Sequence, residues 1–312
     1  MRYLIEFPAA SDRASAGGKG FGLHRLSSWG MNVPRGVVVA SHAYDEAMND
    51  PQIIEFVTAL DTNPNDRGAA MAVRDAVLAI DITPELADEI RSAWDTLENA
   101  AAQQLRVSCR SSATAEDSAA ASFAGQFATV LGVVGPGSVM SAIKECWASV
   151  WSVEALTYRA SHNIPHSAVS MAVVIQQMVR AETSGVAFSV NPVFGDTEQV
   201  MINASWGLGE TVVSGLVTPD TFLVSKPGME IVARDISQSK SVKHEMNDEG
   251  MVEELPVNPI QAMTTSLTDA QVREVAALAI SAEQNAGSPQ DVEWAYEDGS
   301  LYVLQTRPIT TL

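Results

Sequence analysis

The sequence predicts an α+β protein built as two mixed lobes, and three observations carry that prediction. Well-capped helical segments alternate with strand-like runs over the first half of the chain. The run "VSMAVVIQQMV" is apolar on both alternations until its two glutamines, as a strand buried on both faces should be. The chain closes with "DVEWAYEDGSLYVLQTRPITTL", two alternating runs around an Asp-Gly turn, which reads as a β-hairpin. At 312 residues the chain is long for one domain and comfortable for two. The expected hinge follows "IQQMV", giving lobes of residues 1–180 and 181–312.

In chain order, "YLIEF" reads as a first strand, and the Gly-rich "SAGGKGFGLHRLSSWG" opens a helix through Leu23 and Leu26. "VPRGVVVAS" is the next strand, and residues 43–105 read as helical. The best helix there has Thr83 as N-cap and Pro84 at its first position, with Leu86, Ile90, Ala93 and Leu97 on one face. From 106 the pattern turns to strands, "RVSC" and "FATVLGV", then a helix around 138–160 and the run ending "IQQMV". Beyond Arg180 come short strands, "GVAFSVNP", "QVMINAS", "DTFLVS" and "MEIVARD". A last helix begins at a Thr268/Gln271 capping box, shows Val272, Val275, Ala276 and Ala279 on one side, and stops at Gly287.

A formal net charge of −19 argues against non-specific binding to nucleic acid or anionic membrane. Any bound anion must therefore be held by local backbone donors and a few placed cations. Cys109 and Cys146 are too few for a disulfide framework and lack metal-ligand spacing, so they read as buried free thiols. The start lacks a basic region followed by a long apolar one, and no apolar run approaches about 20 residues. A reducing cytoplasm fits these features.

Three places could carry chemistry. "GGKG" at 17–20 puts backbone N–H groups and Lys19 where an anion could approach, but the spacing is not that of a P-loop, and on its own the stretch reads more readily as an ordinary Gly-rich turn. In "SCRSSATAEDSAAASFAGQF", residues 108–127, Arg110 stands at a strand end beside the hydroxyls of Ser111, Ser112 and Thr114. Its guanidinium suits phosphate oxygens, or it pairs with Glu116 or Asp117. In the closing hairpin, Glu293 lies on the polar alternation, and Gln305 and Arg307 share a face of the other strand. A carboxylate beside an amide oxygen suits Mg²⁺ bound with nucleotide phosphates, and Arg307 could hold the transferable phosphate; an exposed polar face is the alternative. A plain two-residue Asp298-Gly299 loop would pair Glu293 with Leu304 and turn Gln305 to the opposite face. A shared metal therefore requires an odd-length loop, or a bulge between the turn and Glu293.

Taken together, "GGKGFGL", "RSSATAEDSAAASFAGQFATVLGV", "CWASVW", "VVIQQMV", "SGVAFSVNP", "INASWGLGETVVSGLVTPDTF" and "DVEWAY…LYVLQTRPI" resemble the N-terminal ATP-binding domain of the phosphoenolpyruvate synthase/pyruvate phosphate dikinase family. That family includes rifampin phosphotransferase and the split synthases that phosphorylate phenols. The resemblance runs over essentially the whole chain. It implies an ATP-grasp fold with ATP between two lobes, the Ser/Ala/Gly stretch lying as a loop over the triphosphate. It further implies that Lys19 and Arg110 contact phosphates, that Gly125 and Thr129 line the nucleotide, and that Gln176 sits at the adenine hinge. Glu293 and Gln305 would hold Mg²⁺, Arg307 would bind the terminal phosphates, and Glu210 in "GLGE" is a further candidate near them.

Relatives also carry a swivelling domain whose histidine, in a Gly-rich Thr/Ser/Cys-His context, takes phosphate from ATP. None of His24, His42, His162, His166 and His244 has that context; they read as structural or solvated. The resemblance thus implies an ATP-binding component of a dikinase-type phosphotransferase. It would pass the β-phosphate of ATP to a histidine on a partner chain, which also binds the acceptor, by analogy a phenolic or benzylic alcohol. A domain of phosphoenolpyruvate synthase or rifampin phosphotransferase type, a piece of a longer enzyme, and a non-catalytic ATP sensor are the alternatives.

Overall fold

The computed structural model describes residues 2–63, 66–114, 127–162, 164–247 and 251–310. Its contacts divide the chain into two compact units, Met1–Arg25 with Arg35–Met178, and Leu26–Pro34 with Val179–Leu312. A cut at residue 180 leaves out the second unit's use of residues 26–34. Asn32 donates to the Leu301 carbonyl at 2.9 Å and its own carbonyl accepts from Val303 N at 2.9 Å, adding a short segment to the terminal hairpin.

The first unit runs β1 (Leu4–Glu6), α1 (Arg13–Ser28), β2 (Gly36–Val39), α2 (Ser41–Ala47), α3 (Pro51–Thr62), α4 (Arg67–Ala79), α5 (Pro84–Ala100), β3 (Val107–Ala113), β4 (Thr129–Val133), α6 (Pro136–Ser149), α7 (Val153–Ser161) and β5 (Met171–Gln177). Its antiparallel sheet has the order β1-β2-β5-β3-β4, so the doubly apolar run is the central strand. Side chains alternate across the pleat. Val37, Val39, Val107, Cys109, Val173 and Ile175 face the helices and join Ile53, Leu60, Val73, Ile90, Ile143 and Trp147 in one core. The other face carries Ser108, Arg110, Ser112, Thr129 and Gln176, as the pairings Ser108↔Gln176 and Arg110↔Thr129 require.

Local signals explain the helices. Thr83 accepts the Leu86 N–H at the start of α5, and Trp94 joins Leu86, Ile90 and Leu97 on its buried face. The single helix expected over 138–160 is two, because Ser152 caps α7 by accepting the Ala155 N–H at 3.1 Å. Both thiols are buried, and Cys146 Sγ donates to the Cys109 carbonyl at 3.5 Å. Burial pushes the Cys146 thiol up to about 12.

The second unit contains β6 (Thr183–Phe188), β7 (Gln199–Trp206), α8 (Glu210–Val213), β8 (Asp220–Ser225), β9 (Glu230–Asp235), β10 (Val242–Met246), β11 (Val252–Pro256), α9 (Pro259–Ala262), α10 (Asp269–Ala286), β12 (Gln290–Glu297) and β13 (Ser300–Pro308). Six strands form an antiparallel sheet in the order β13-β12-β6-β7-β8-β9. One face packs Ala187, Ile202, Phe222, Trp294 and Tyr296 against Val272, Val275, Ala276 and Ala279 of α10. The capping box and the left-handed Gly287 stand at the ends of α10 where the residue types place them. The separate β10–β11 hairpin escapes a search for apolar alternation, since Lys243, Glu245, Glu253 and Glu254 make it charged. Behind the sheet, Asp220 is wholly buried, pairs with buried Lys240, and accepts from Ser237 N (3.0 Å), Ser266 N (2.7 Å) and Ser266 Oγ (2.7 Å).

Candidate functional site

In the first unit the candidate site lies on the sheet face opposite the main helical core, the face onto which α1 packs. Arg110 lies in the middle of β3, not at a strand end, and residues 108–113 are strand rather than loop. Their small size has a packing cause: α1 comes down onto this strand. Gly17 breaks α1 with φ 69°, and a Cβ there would overlap the Ser112 carbonyl, so only glycine fits. The Ser112 hydroxyl donates to the Ala16 carbonyl at 2.8 Å and accepts the Gly20 N–H at 3.1 Å, stitching the "GGKG" segment to β3. Lys19 is therefore carried on a helix whose break is clamped onto the strand that bears Arg110. The other hydroxyls are structural: Ser111 donates to the Ala128 carbonyl at 2.8 Å, and Thr114 to the Ser170 carbonyl at 3.3 Å.

Arg110 and Gln176 meet. The guanidinium Nη2 donates to Gln176 Oε1 at 2.6 Å, with both residues buried. This bond fixes the amide orientation and leaves Gln176 Nε2 buried without a hydrogen-bond partner among the described residues. Thr129 pairs with Arg110 across β4. Gly125, together with Glu116 and Asp117, lies outside the described residues.

In the second unit the hairpin register decides what the polar residues can do. Asp298 and Gly299 form a two-residue turn with φ of 49° and 73°, which pairs Glu297 with Ser300. The register then shifts between Glu293 and Trp294, with Leu304 as the extra residue, so that Glu293 stands opposite Gln305 and Asp291 opposite Arg307. Of the two devices that would bring Glu293 and Gln305 to one face, the chain uses the bulge. Both side chains are half-buried on the face that turns away from α10.

Asp291 is a site residue that the sequence reading missed. It accepts from Arg307 Nε at 2.7 Å, and its side chain is only 7% exposed against 41% for Arg307. Its position two residues before Glu293, on the same alternation, was the available signal. The same face continues inward through Asn203, paired with Val186, whose Oδ1 accepts from Thr221 Oγ1 at 3.1 Å. Among the described residues no three His, Cys, Asp or Glu side chains group into a metal cage. Two adjacent oxygen donors of the Glu293–Gln305 kind instead suit a hard cation that takes its remaining ligands from phosphate and water.

Glu210 begins α8 with its side chain half exposed, 3.3 Å from His244 Nδ1. His244 Nε2 lies 3.7 Å from Glu254, so Glu210 is engaged with β10 through His244. The remaining histidines have local partners: His24 binds the Pro8 carbonyl, His42 stacks on Tyr3, His162 stacks on Tyr158, and His166 accepts from Arg159 Nε at 3.0 Å.

The pyruvate phosphate dikinase AMP/ATP-binding domain model matches residues 13–312. The chain belongs to that family. It is an ATP-binding domain of ATP-grasp type. A phosphoenolpyruvate synthase of Pyrococcus furiosus is 36% identical over 97% of the chain and 43% of its own length. A probable phosphoenolpyruvate synthase of Methanocaldococcus jannaschii is 38% identical over 95% of the chain and 26% of its length. A rifampicin phosphotransferase of a Streptomyces species is 37% identical over 97% of the chain and 36% of its length. The chain spans less than half the length of these relatives. Among the described residues, no helix is long and apolar enough to cross a membrane.

Proposed function

We propose that this chain is the ATP-binding component of a phosphohistidine-dependent phosphotransferase of dikinase type. The observation that carries the reading is the bulged hairpin, which sets Glu293 beside Gln305 and Arg307 beside Asp291 on one face. In this reading Glu293 and Gln305 hold Mg²⁺ with the nucleotide phosphates, where the ion supplies charge neutralisation. Arg307, aligned by Asp291, binds the terminal phosphates. Lys19 and Arg110 contact the phosphate chain, Gly125 and Thr129 line the nucleotide, and Gln176 serves adenine through its unpartnered amide. Glu210 acts only if it leaves His244.

The β-phosphate would pass to a histidine outside these 312 residues, with AMP and phosphate as the other products. Two features support this: the five histidines have local partners, and none stands in a Gly-rich Thr-His context. Our reading places that histidine on a cytoplasmic partner chain that also binds a small acceptor, a phenolic or benzylic alcohol by analogy with split synthases. Relatives named phosphoenolpyruvate synthase and rifampicin phosphotransferase support a second reading, in which the domain serves one of those acceptor chemistries.

The test is ATP labelled at the β-phosphate. The chain alone should bind MgATP without releasing AMP, since no nucleophile is positioned for transfer. Adding a histidine-bearing partner should yield AMP and an acid-labile labelled protein. Phosphorylation of an acceptor by the chain alone, at an ordinary turnover, refutes the reading.

A further inference from the structure

The row of residues that carries Gln305 and Glu293 does not stop at the terminal hairpin. Paired residues in an antiparallel sheet share a face, and the pairings Gln305↔Glu293, Glu293↔Val186, Val186↔Asn203 and Asn203↔Thr221 run straight across β13, β12, β6, β7 and β8. All five residues are half-buried, so the row stays partly open along its length. The neighbouring rows are different. On one side Asp291 leads to Phe188, Met201 and Leu223, which are apolar. On the other, Ala295, Ser184 and Ser205 are each only 1% exposed and present nothing to a ligand. Past the hairpin, the accessible polar groups in the middle of this face are therefore Asn203 and Thr221.

The orientation of Asn203 is set by its neighbour. Thr221 Oγ1 donates to Asn203 Oδ1 at 3.1 Å, which turns the Nδ2 donors away from Thr221. Nδ2 makes no hydrogen bond among the described residues. Two strand spacings of about 4.8 Å put Asn203 roughly 10 Å from Glu293 along the row. A cation on Glu293 and Gln305 would lie about 2.1 Å from each oxygen it binds, so a phosphate oxygen on its far side stands about 4 Å from the carboxylate. The remaining gap is within reach of one phosphate group and one hydrogen bond of about 2.9 Å. It lies above Val186, which has no polar group to compete.

We propose that Asn203 is a further phosphate-binding residue, donating through Nδ2 to a phosphate oxygen of the nucleotide, and that Thr221 is the positioning residue that aims it. The assignment rests on the reading of Glu293 and Gln305 as holders of a cation shared with the nucleotide. A neutral amide serves there because it supplies donors to phosphate without adding charge to a face that already carries two carboxylates.

Calorimetric titration of the full chain with MgATP tests both roles, with the urea midpoint as the check on folding. Asn203→Leu, close in shape and without a donor, should weaken MgATP about tenfold or more, the worth of a hydrogen bond to a charged group. Asn203→Ala should do the same, so the role is decided even if the leucine variant misfolds. Thr221→Val should weaken binding about threefold, and Thr221→Ser, which keeps the hydroxyl, should restore it. Arg307→Ala is the reference. If it loses affinity while both Asn203 variants bind as tightly as the unaltered chain, the proposal is overturned and the hairpin reading stands. If Arg307→Ala and the unaltered chain bind MgATP alike, the hairpin reading falls and the proposal falls with it. Equal affinity in Thr221→Ser and Thr221→Val overturns the positioning role.

Discussion

Replacing Arg307 by alanine should separate nucleotide binding from folding more cleanly than any other substitution in the candidate site. The Arg307 side chain is 41% exposed, and its Nε forms a 2.7 Å bond to Asp291. A pair this exposed on one side contributes about 0–1 kcal/mol to stability once solvent screening is counted. A charge-assisted contact to phosphate contributes about 1.5–3 kcal/mol, or roughly ten- to a hundred-fold in Kd. The two effects differ enough to be told apart. Calorimetric titration with MgATP should show the affinity loss, while the urea midpoint shifts little. Arg307→Lys should recover only part of the binding, because an ammonium cannot hold Asp291 with one edge and phosphate with the other. Asp291→Asn should weaken binding less than Arg307→Ala, since the cation stays while its alignment is lost. Unchanged MgATP affinity in Arg307→Ala, with the fold intact, would refute the phosphate role and with it the reading of the hairpin face.

The other expectations concern stability and reactivity. Asp220→Ala should cost about 3–5 kcal/mol by urea denaturation, because it strands the buried Lys240 charge, and adding Lys240→Met should restore much of the loss; equal stability of the single and double variants would count against an ion-pair origin. Cys109 and Cys146 should resist Ellman's reagent in the native protein and react in denaturant, given their burial and upward-shifted thiols. The pKa of His166 is held below its usual value by burial and then by Arg159, so the folded state takes up its proton later than the unfolded state as pH falls. Its contribution is present above about pH 6.5 and is lost as pH drops through the lower folded value, so the decline of Tm below that pH should be shallower in His166→Gln.

Much of the fold was readable where one local rule spoke alone. Thr83-Pro84 before a stripe of Leu86, Ile90 and Leu97, and Thr268/Gln271 before Val272, specify their helices from within a single turn. The β10–β11 hairpin did not announce itself, because charged residues on both faces carry no period-two signal. Arg110 was misplaced at a strand end for a different reason. Serine and alanine in β3 read as loop composition, yet they are small because Gly17 and the Ser112 hydroxyl bring α1 against the strand, a contact between residues about 90 positions apart. The hairpin shows what turn geometry can and cannot deliver. Asp-Gly implied the two-residue loop and exposed the parity problem, but the dipeptide does not encode the bulge that solves it, which falls at Leu304, past the turn.

That parity problem also bears on how an acidic protein binds a triphosphate. A net charge of −19 repels polyanions at long range, but such repulsion is screened beyond about 8 Å at physiological salt. What remains is the local balance, and both candidate faces are built to favour it. On the first sheet, Lys19 and Arg110 stand on elements stitched together through Ser112, and around Arg110 that face presents Ser108, Ser112, Thr129 and Gln176 beside Val38 and Val174. On the second, the carboxylates Asp291 and Glu293 would be as unwelcome to phosphate as any on the surface, unless each is matched by a cation. Asp291 already has Arg307. Glu293 has Gln305 opposite it, a neutral oxygen donor that can share a divalent ion without adding negative charge. Had the ladder run without its bulge, Leu304 would stand opposite Glu293, and the carboxylate would have no oxygen partner across the hairpin. One extra residue in β13 thus decides whether this face can hold metal and phosphate together.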